Sequence, residues 1–127
     1  MPFLFDTNIF LEILLAQDKK EKAKKFISDN SDQLFISDFS LHSIGVILLK
    51  QKKNKIFEDF VNDILPFATI LVLSKNNYSN LIKFSEKYLL DFDDSYQVSV
   101  AVEYGLNIIT MDKDFNKAKK LVKVKFL

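Results

Sequence analysis

The stretch "LLDFDDSYQVSVAVEYGLNIITMDKDF", Leu89 to Phe115, decides how this chain is read. From Asp94 onward Val98, Ala101 and Val102 recur at the helical period, and Gly105 after Tyr104 supplies a left-handed stop. "LNIIT" then reads as a short buried strand, and "MDKDF" as the turn that leaves it. Five aspartates, Asp91, Asp93, Asp94, Asp112 and Asp114, crowd this one helix and one strand. Like charges held close cost folding free energy unless a cation, a proton or distance relieves them.

Working outward, strand and helix patterns keep alternating. Phe3 to Phe5 is a short apolar strand running into "DTN", after which Ile9, Phe10, Ile13 and Leu14 recur at helical spacing. A lysine-rich helix is expected from about Lys19 to Ser28. "LFIS", Leu34 to Ser37, is a second strand, followed by a helix with Leu41, Ile44, Ile47 and Leu48 on one stripe and Ser37 or Asp38 as its cap. Ile56, Phe57, Phe60, Val61 and Ile64 mark a helix that Pro66 terminates, and "ATILVLS" is a strand rich in β-branched residues. Ser74 or Asn76 is expected to cap a helix through about Tyr88. A short helix near Asn116 to Lys120 and an edge strand, "VKVKFL", with Lys123 and Lys125 toward solvent, complete the chain.

This order predicts right-handed crossovers and a mostly parallel central β-sheet covered on both faces, an α/β fold of three-layer α/β/α sandwich type. Ligands of such folds collect outside the carboxyl ends of the strands. Asp6 directly follows the first strand, Asp112 and Asp114 follow "NIIT", and Asp94 opens the helix leading into it. All four can converge at one end of the sheet. Singly, each could be only a helix or turn cap; converging without cationic partners, they would raise their pKa values or bind a hard cation such as Mg²⁺ or Mn²⁺.

Composition narrows the alternatives. The chain has 127 residues, 48% of them hydrophobic, with thirteen Phe, which suits one compact domain over residues 1–127. Its lack of cysteine removes disulfides and thiolate-bound zinc and fits a reducing cytoplasm. The stretch "MPFLFDTNIF" has no basic n-region and no cleavage-site pattern, and no apolar run approaches the roughly 18 residues of a membrane span, so a soluble cytoplasmic protein is expected. All eighteen basic residues are Lys, which contact phosphate as point charges rather than bidentate forks. Their runs read either as solvated helix faces or as basic segments steering a polyanion toward the acids. Two isolated glycines cannot build a phosphate-cradling loop, and the one histidine, His42, lacks a G-x-S-x-G partner. The aromatic residues, mostly Phe at core spacing, read as core rather than as a base-stacking surface.

Three segments, "FLFDTNIFLE", "FISDFSLHSI" and "DDSYQVSVAVEYGLNIITMDKDF", together resemble a PIN domain, the fold of VapC-like toxins of toxin–antitoxin pairs, over essentially the whole chain. Its most specific part is "T-x-D-x-D-F", from Thr110 to Phe115. The resemblance implies a Mg²⁺- or Mn²⁺-dependent endoribonuclease, often a homodimer, sometimes held inactive by an antitoxin protein. It implies Asp6, Asp94 and Asp112 as catalytic metal ligands and Asp114 as an outer or second-metal acid. Asn8 would fix the loop, Thr110 would orient the site, and Asp93 would be the substitute for Asp94.

One position departs from the family pattern. Where "S-x-x-S-L-x-E" carries a glutamate, this chain has Ser43. A neutral hydroxyl cannot replace a carboxylate's charge, although it can hold a metal-bound water. His42 lies about 100° around the helix from Ser43 and reads as a surface residue. Two functions are therefore carried forward: hydrolysis of single-stranded RNA, or a PIN-like module with a degenerate metal site that binds RNA or protein. A haloacid-dehalogenase-like or receiver-like phosphoryl-transfer domain fares worse, because "DTN" lacks the second acid of a D-x-D motif and no aspartate follows "ILVLS".

Overall fold

The chain alternates strands too short to stand alone with helices that cover them, and the computed structural model describes residues 2–127. In order these are β1 (Phe3–Phe5), α1 (Thr7–Leu14), α2 (Lys20–Asp29), β2 (Leu34–Ser37), α3 (Asp38–Lys50), α4 (Asn54–Asp63), β3 (Ala68–Leu71), α5 (Tyr78–Tyr88), α6 (Phe92–Tyr104), β4 (Asn107–Thr110) and β5 (Val124–Phe126). Every pairing is parallel, and the sheet order is β3-β2-β1-β4-β5.

Register explains the two-sided core. Leu4 pairs with Ile108 and Phe5 with Ile109, and successive strand residues face opposite ways. Leu4 and Ile108 pack with Leu81 of α5 and Val98, Val100 and Ala101 of α6, together with Phe115. Phe5 and Ile109 pack on the other face with Ile9 and Phe10 of α1, Ala23 of α2, Ile44 and Leu48 of α3 and Phe60 of α4. The result is the three-layer α/β/α sandwich expected from the alternation. β5 is an edge strand with Lys123 and Lys125 exposed, whereas the opposite edge, β3, exposes Ile70, with Phe67 just before it and Val72 just after.

Several local expectations are revised. α6 begins at Phe92, so Asp93 and Asp94 lie in its first turn rather than before it. Its other end follows the sequence: Gly105 has φ 67° and the Leu106 N–H reaches back to the Ala101 carbonyl, closing the helix. Ser37 caps α3 by accepting from the Ser40 N–H. Neither Ser74 nor Asn76 caps α5: Ser74 donates its N–H and hydroxyl to Glu103, and a 3-10 turn over Lys75–Asn77 intervenes. The helix expected near Asn116 is a 3-10 helix over Lys113–Ala118, capped by Asp112. Tertiary partners outcompeted the local signal at Ser74.

α6 has no free side over its middle turns. Ser95, Tyr96, Gln97, Val98, Ser99, Val100 and Ala101 are all buried in sequence, so this helix is wedged between neighbours rather than laid on the sheet. Among the described residues, no helix is long and apolar enough to cross a membrane.

Candidate metal centre

The sheet order reverses direction between β1 and β4, because the chain builds outward through β2 and β3 before returning to the other side of β1. A crevice outside the carboxyl ends of the strands is expected at such a switch point. A cavity of about 250 Å³ opens there, lined by Asp6, Asn8, Ser43, Asp93, Asp94, Gln97 and Asp112 among others.

Each acid arrives by a different route. Asp6 terminates β1 and caps α1, its Oδ1 accepting from the Thr7 N–H at 2.9 Å. The same oxygen accepts from Gln97 Nε2 at 3.0 Å, and Oδ2 accepts from Thr110 Oγ1 at 2.7 Å. Asp6 is therefore both cap and site residue, and three donors fix its carboxylate. Asp94 enters from the first turn of α6, while Asp112 and Asp114 hang on the turn after β4. One carboxylate oxygen from each of Asp94, Asp112 and Asp114 lies within 4.8 Å of the other two.

A small polar knot holds these routes in register. Thr110 Oγ1 donates to Asp6 and accepts from the Asp112 N–H at 3.0 Å. Asn8 Oδ1 accepts from the Met111 N–H at 3.2 Å, and its amide donates to Thr110 at 3.4 Å. The Asp114 N–H donates to Asp112 Oδ1 at 2.9 Å. The end of β1 and the turn after β4 are thus tied by side chains as well as by the sheet.

Electrostatics show what the sequence left open about these acids. Burial, then the charges of Asp112, Asp6, Asp114 and Asp91, push Asp94 up from 3.8 to about 7. Asp6 is also raised, chiefly by burial and against the pull of its three hydrogen bonds, with Asp112 adding a small push. The nearest cation, Lys117, reaches Asp114 only at 4.0 Å on an exposed surface, too loose to neutralise the group. The donor set suits a hard cation: every atom offered by Asp94, Asp112 and Asp114 is a carboxylate oxygen, and the three could hold such an ion together.

Every residue singled out from the sequence reaches this end of the sheet, but with different standing. Asp94 and Asp112 both line the cavity and belong to the tight trio; Asp114, expected as an outer or second-metal acid, is in the trio as well. Asp6 lines the cavity outside the trio, Asp93 is exposed at its rim, and Ser43 of α3 also lines it. His42 is exposed and lines a neighbouring groove instead. Several lysines are solvated helix faces, as Lys25 with Asp29 and Lys55 with Asp59 pair one turn apart.

Gln97 was not singled out from the sequence. It is 2% exposed, and its amide nitrogen bridges Asp6 and, at 2.7 Å, Ser40 Oγ. Its position three residues after Asp94, a lone amide in the apolar stretch of the helix, was the available signal.

A search among solved structures finds the same fold in other proteins. A toxin–antitoxin complex from Klebsiella pneumoniae superimposes with TM-score 0.73 at 24% identity over 89% of each chain. FitAcB from Neisseria gonorrhoeae gives TM-score 0.76 at 24% identity, covering 96% of this chain and 95% of that one. VapBC2 from Rickettsia felis, bound to a DNA fragment from their promoter, gives 0.80 at 17% identity, covering 99% and 98%. No curated protein matches the chain in sequence. The model of the PIN domain matches residues 3–121, which takes in β1, the switch-point cavity and every acid around it: this chain belongs to the PIN domain family.

Proposed function

We propose that the protein is a Mg²⁺- or Mn²⁺-dependent endoribonuclease that hydrolyses phosphodiester bonds in single-stranded RNA, as the toxin of a toxin–antitoxin pair. PIN domains are generally metal-dependent ribonucleases, and one structural neighbour is a toxin–antitoxin complex. The observation that carries the reading is the convergence of Asp94, Asp112 and Asp114 at the strand ends beside Asp6, where the one ion pair to them among the described residues is the exposed 4.0 Å contact of Lys117 with Asp114. In this reading residues 1–127 form a single PIN-like domain that works in the cytoplasm, pairs as a homodimer and is restrained by an antitoxin protein.

Asp94 and Asp112, with Asp114, would hold the metal ion, and Asp6 would complete the ring of charge. A divalent cation held there would supply Lewis-acid chemistry, offsetting charge on the phosphate and lowering the pKa of a water. The protein's part is positional. Thr110 and Gln97 hold the Asp6 carboxylate in one orientation, and Asn8 holds the loop that carries Asp112. Ser43, lining the same cavity, offers a hydroxyl to a water near the phosphate.

Ser43 also favours a second reading. With a serine where the family carries glutamate, the cavity loses one negative charge, and a weakened site would leave a module that binds RNA or protein without cutting it. The two readings separate in one assay: a fluorescently labelled single-stranded RNA panel incubated with Mg²⁺, Mn²⁺ or EDTA, with Asp6→Asn and Asp94→Asn as controls. Cleavage that needs metal and vanishes in both variants is the expected result. No cleavage by folded protein, with activity appearing only in Ser43→Glu, overturns it in favour of the binding module.

A further inference from the structure

Beside the acid cavity lies a second groove of about 370 Å³, lined by Asp38, Phe39, His42, Tyr78, Phe92 and Tyr96. Phe39 lines both, so the two are contiguous. Aromatic side chains normally close over one another and leave water, yet here Phe92 is 55% exposed and Tyr78 43% exposed. Tyr96, 4% exposed, lies between them as a floor. Its ring centroid is 6.2 Å from that of Phe92 at 28°, 6.3 Å from that of Tyr78 at 56° and 5.9 Å from that of Phe39 at 49°.

The floor is held rigidly. Tyr96 donates its hydroxyl to Asp38 Oδ1 at 2.6 Å and accepts from the Leu73 N–H at 3.2 Å. Asp38 in turn is fixed by the Phe39 N–H at 2.9 Å. Phe92 therefore presents an aromatic ring to solvent beside a buried, hydrogen-bonded Tyr96, two residues before Asp94. Around it the carboxylate of Asp38 and the exposed imidazole of His42 offer an acceptor and an N–H at the groove wall.

We infer that this groove is a nucleobase subsite: Phe92, with Tyr78, stacks an unpaired base of the RNA strand whose phosphate lies at the acid cavity. The inference rests on the ribonuclease reading above and adds where the neighbouring nucleotide sits. An exposed planar ring at the groove, polar groups at its wall, and direct continuity with the acidic cavity match a flipped-out base. A duplex keeps its bases stacked inside the helix, so the subsite selects single strands. Phe92 and Tyr78 depart from the expectation that the aromatics serve only the core.

The test separates base stacking from catalysis. A short single-stranded RNA carrying one 2-aminopurine is titrated with wild type, Phe92→Ala, Phe92→Tyr and Tyr78→Ala, with Ca²⁺ in place of Mg²⁺. Cleavage by the same proteins is followed separately in Mg²⁺ and Mn²⁺. Stacking on Phe92 should quench the 2-aminopurine, and Phe92→Ala should weaken binding about 5- to 150-fold, raising KM more than it lowers kcat. Tyr78→Ala should weaken it less. Phe92→Tyr, which keeps the ring, should stay close to wild type, and an RNA abasic at that position should bind wild type and Phe92→Ala alike.

RNA that is bound or cleaved equally well by Phe92→Ala overturns the subsite and leaves the nuclease reading standing. So does a Phe92→Tyr as weak as Phe92→Ala. Phe92-dependent binding without cleavage by any protein sustains the subsite and overturns the nuclease. Wild type that neither binds nor cleaves RNA overturns both.

Discussion

Removing the charge of Asp94 should stabilise the metal-free protein at neutral pH, although the residue belongs to the site. Its folded pKa is about 7 against 3.8 for an unperturbed aspartate, so the folded state binds the proton more tightly than the unfolded chain does. Below about pH 4 both states are protonated and nothing is lost. As pH rises from 4 through 7 the folded protein is progressively penalised, and above 7 the full cost applies. At about 1.4 kcal/mol for each tenfold in proton affinity, the ceiling is about 4 kcal/mol. Asp94 is only partly buried, so solvent screening reduces the expected value to about 1–2 kcal/mol. Asp94→Asn in EDTA at pH 8 should therefore melt about 4–8 °C above wild type, and the gap should close toward pH 4. Saturating Mg²⁺ at a hundredfold over Kd would add about 2.7 kcal/mol to wild type and less to the variant, shrinking or reversing the order. Differential scanning calorimetry at pH 4, 6 and 8, with EDTA and with Mg²⁺, reads all of this. An Asp94→Asn that melts at or below wild type in EDTA at pH 8, or a gap that ignores pH, refutes the argument that burial and the neighbouring acids penalise a charged Asp94 in the folded state.

Two further substitutions probe the frame around the acids. Gln97→Leu keeps the volume but removes the donors to Asp6 and Ser40; urea denaturation should show a loss of about 1–3 kcal/mol, and metal affinity measured by calorimetry should fall because Asp6 loses one of its three anchors. Gly105→Ala meets no atom within 4 Å, so only its φ of +67° is penalised; a loss of about 1 kcal/mol in urea denaturation, with RNA binding unaltered, is expected.

The α/β/α architecture was legible because each strand and each helix carried its own period, and because Gly105 and Pro66 punctuate the chain where the elements end. The acids were legible for a topological reason: residues just after parallel strands share one end of the sheet whatever the strand order. What stayed hidden depended on distant partners. Gln97 matters because α6 meets β1 and α3, and nothing within the helix announces that the amide of Gln97 will face Asp6, 91 positions away. Ser74 carries the chemistry of a cap, yet Glu103 takes both its donors. Tyr96 and Phe92 share a spacing that suits a buried stripe, but Phe92 sits at the first residue of the helix, where the neighbouring layer no longer covers it. The close trio of Asp94, Asp112 and Asp114 involves a 3-10 helix that starts at Lys113, inside "MDKDF", where only a turn was expected.

The burial of α6 on all sides decides where this site is free to evolve. A residue from Ser95 to Ala101 touches core on whichever face it lies, so a change there is judged on stability before it can be judged on chemistry. α3 is different: Ser43 is half-buried and lines an open cavity, where serine and glutamate can be exchanged without displacing a packed layer. Charge can thus be added or withdrawn from α3 by one residue substitution, while a substitution in the α6 wall disturbs packing. A library randomised at Ser43 should yield folded proteins spanning a range of metal affinities, whereas one randomised at Gln97 should yield few folded members at all.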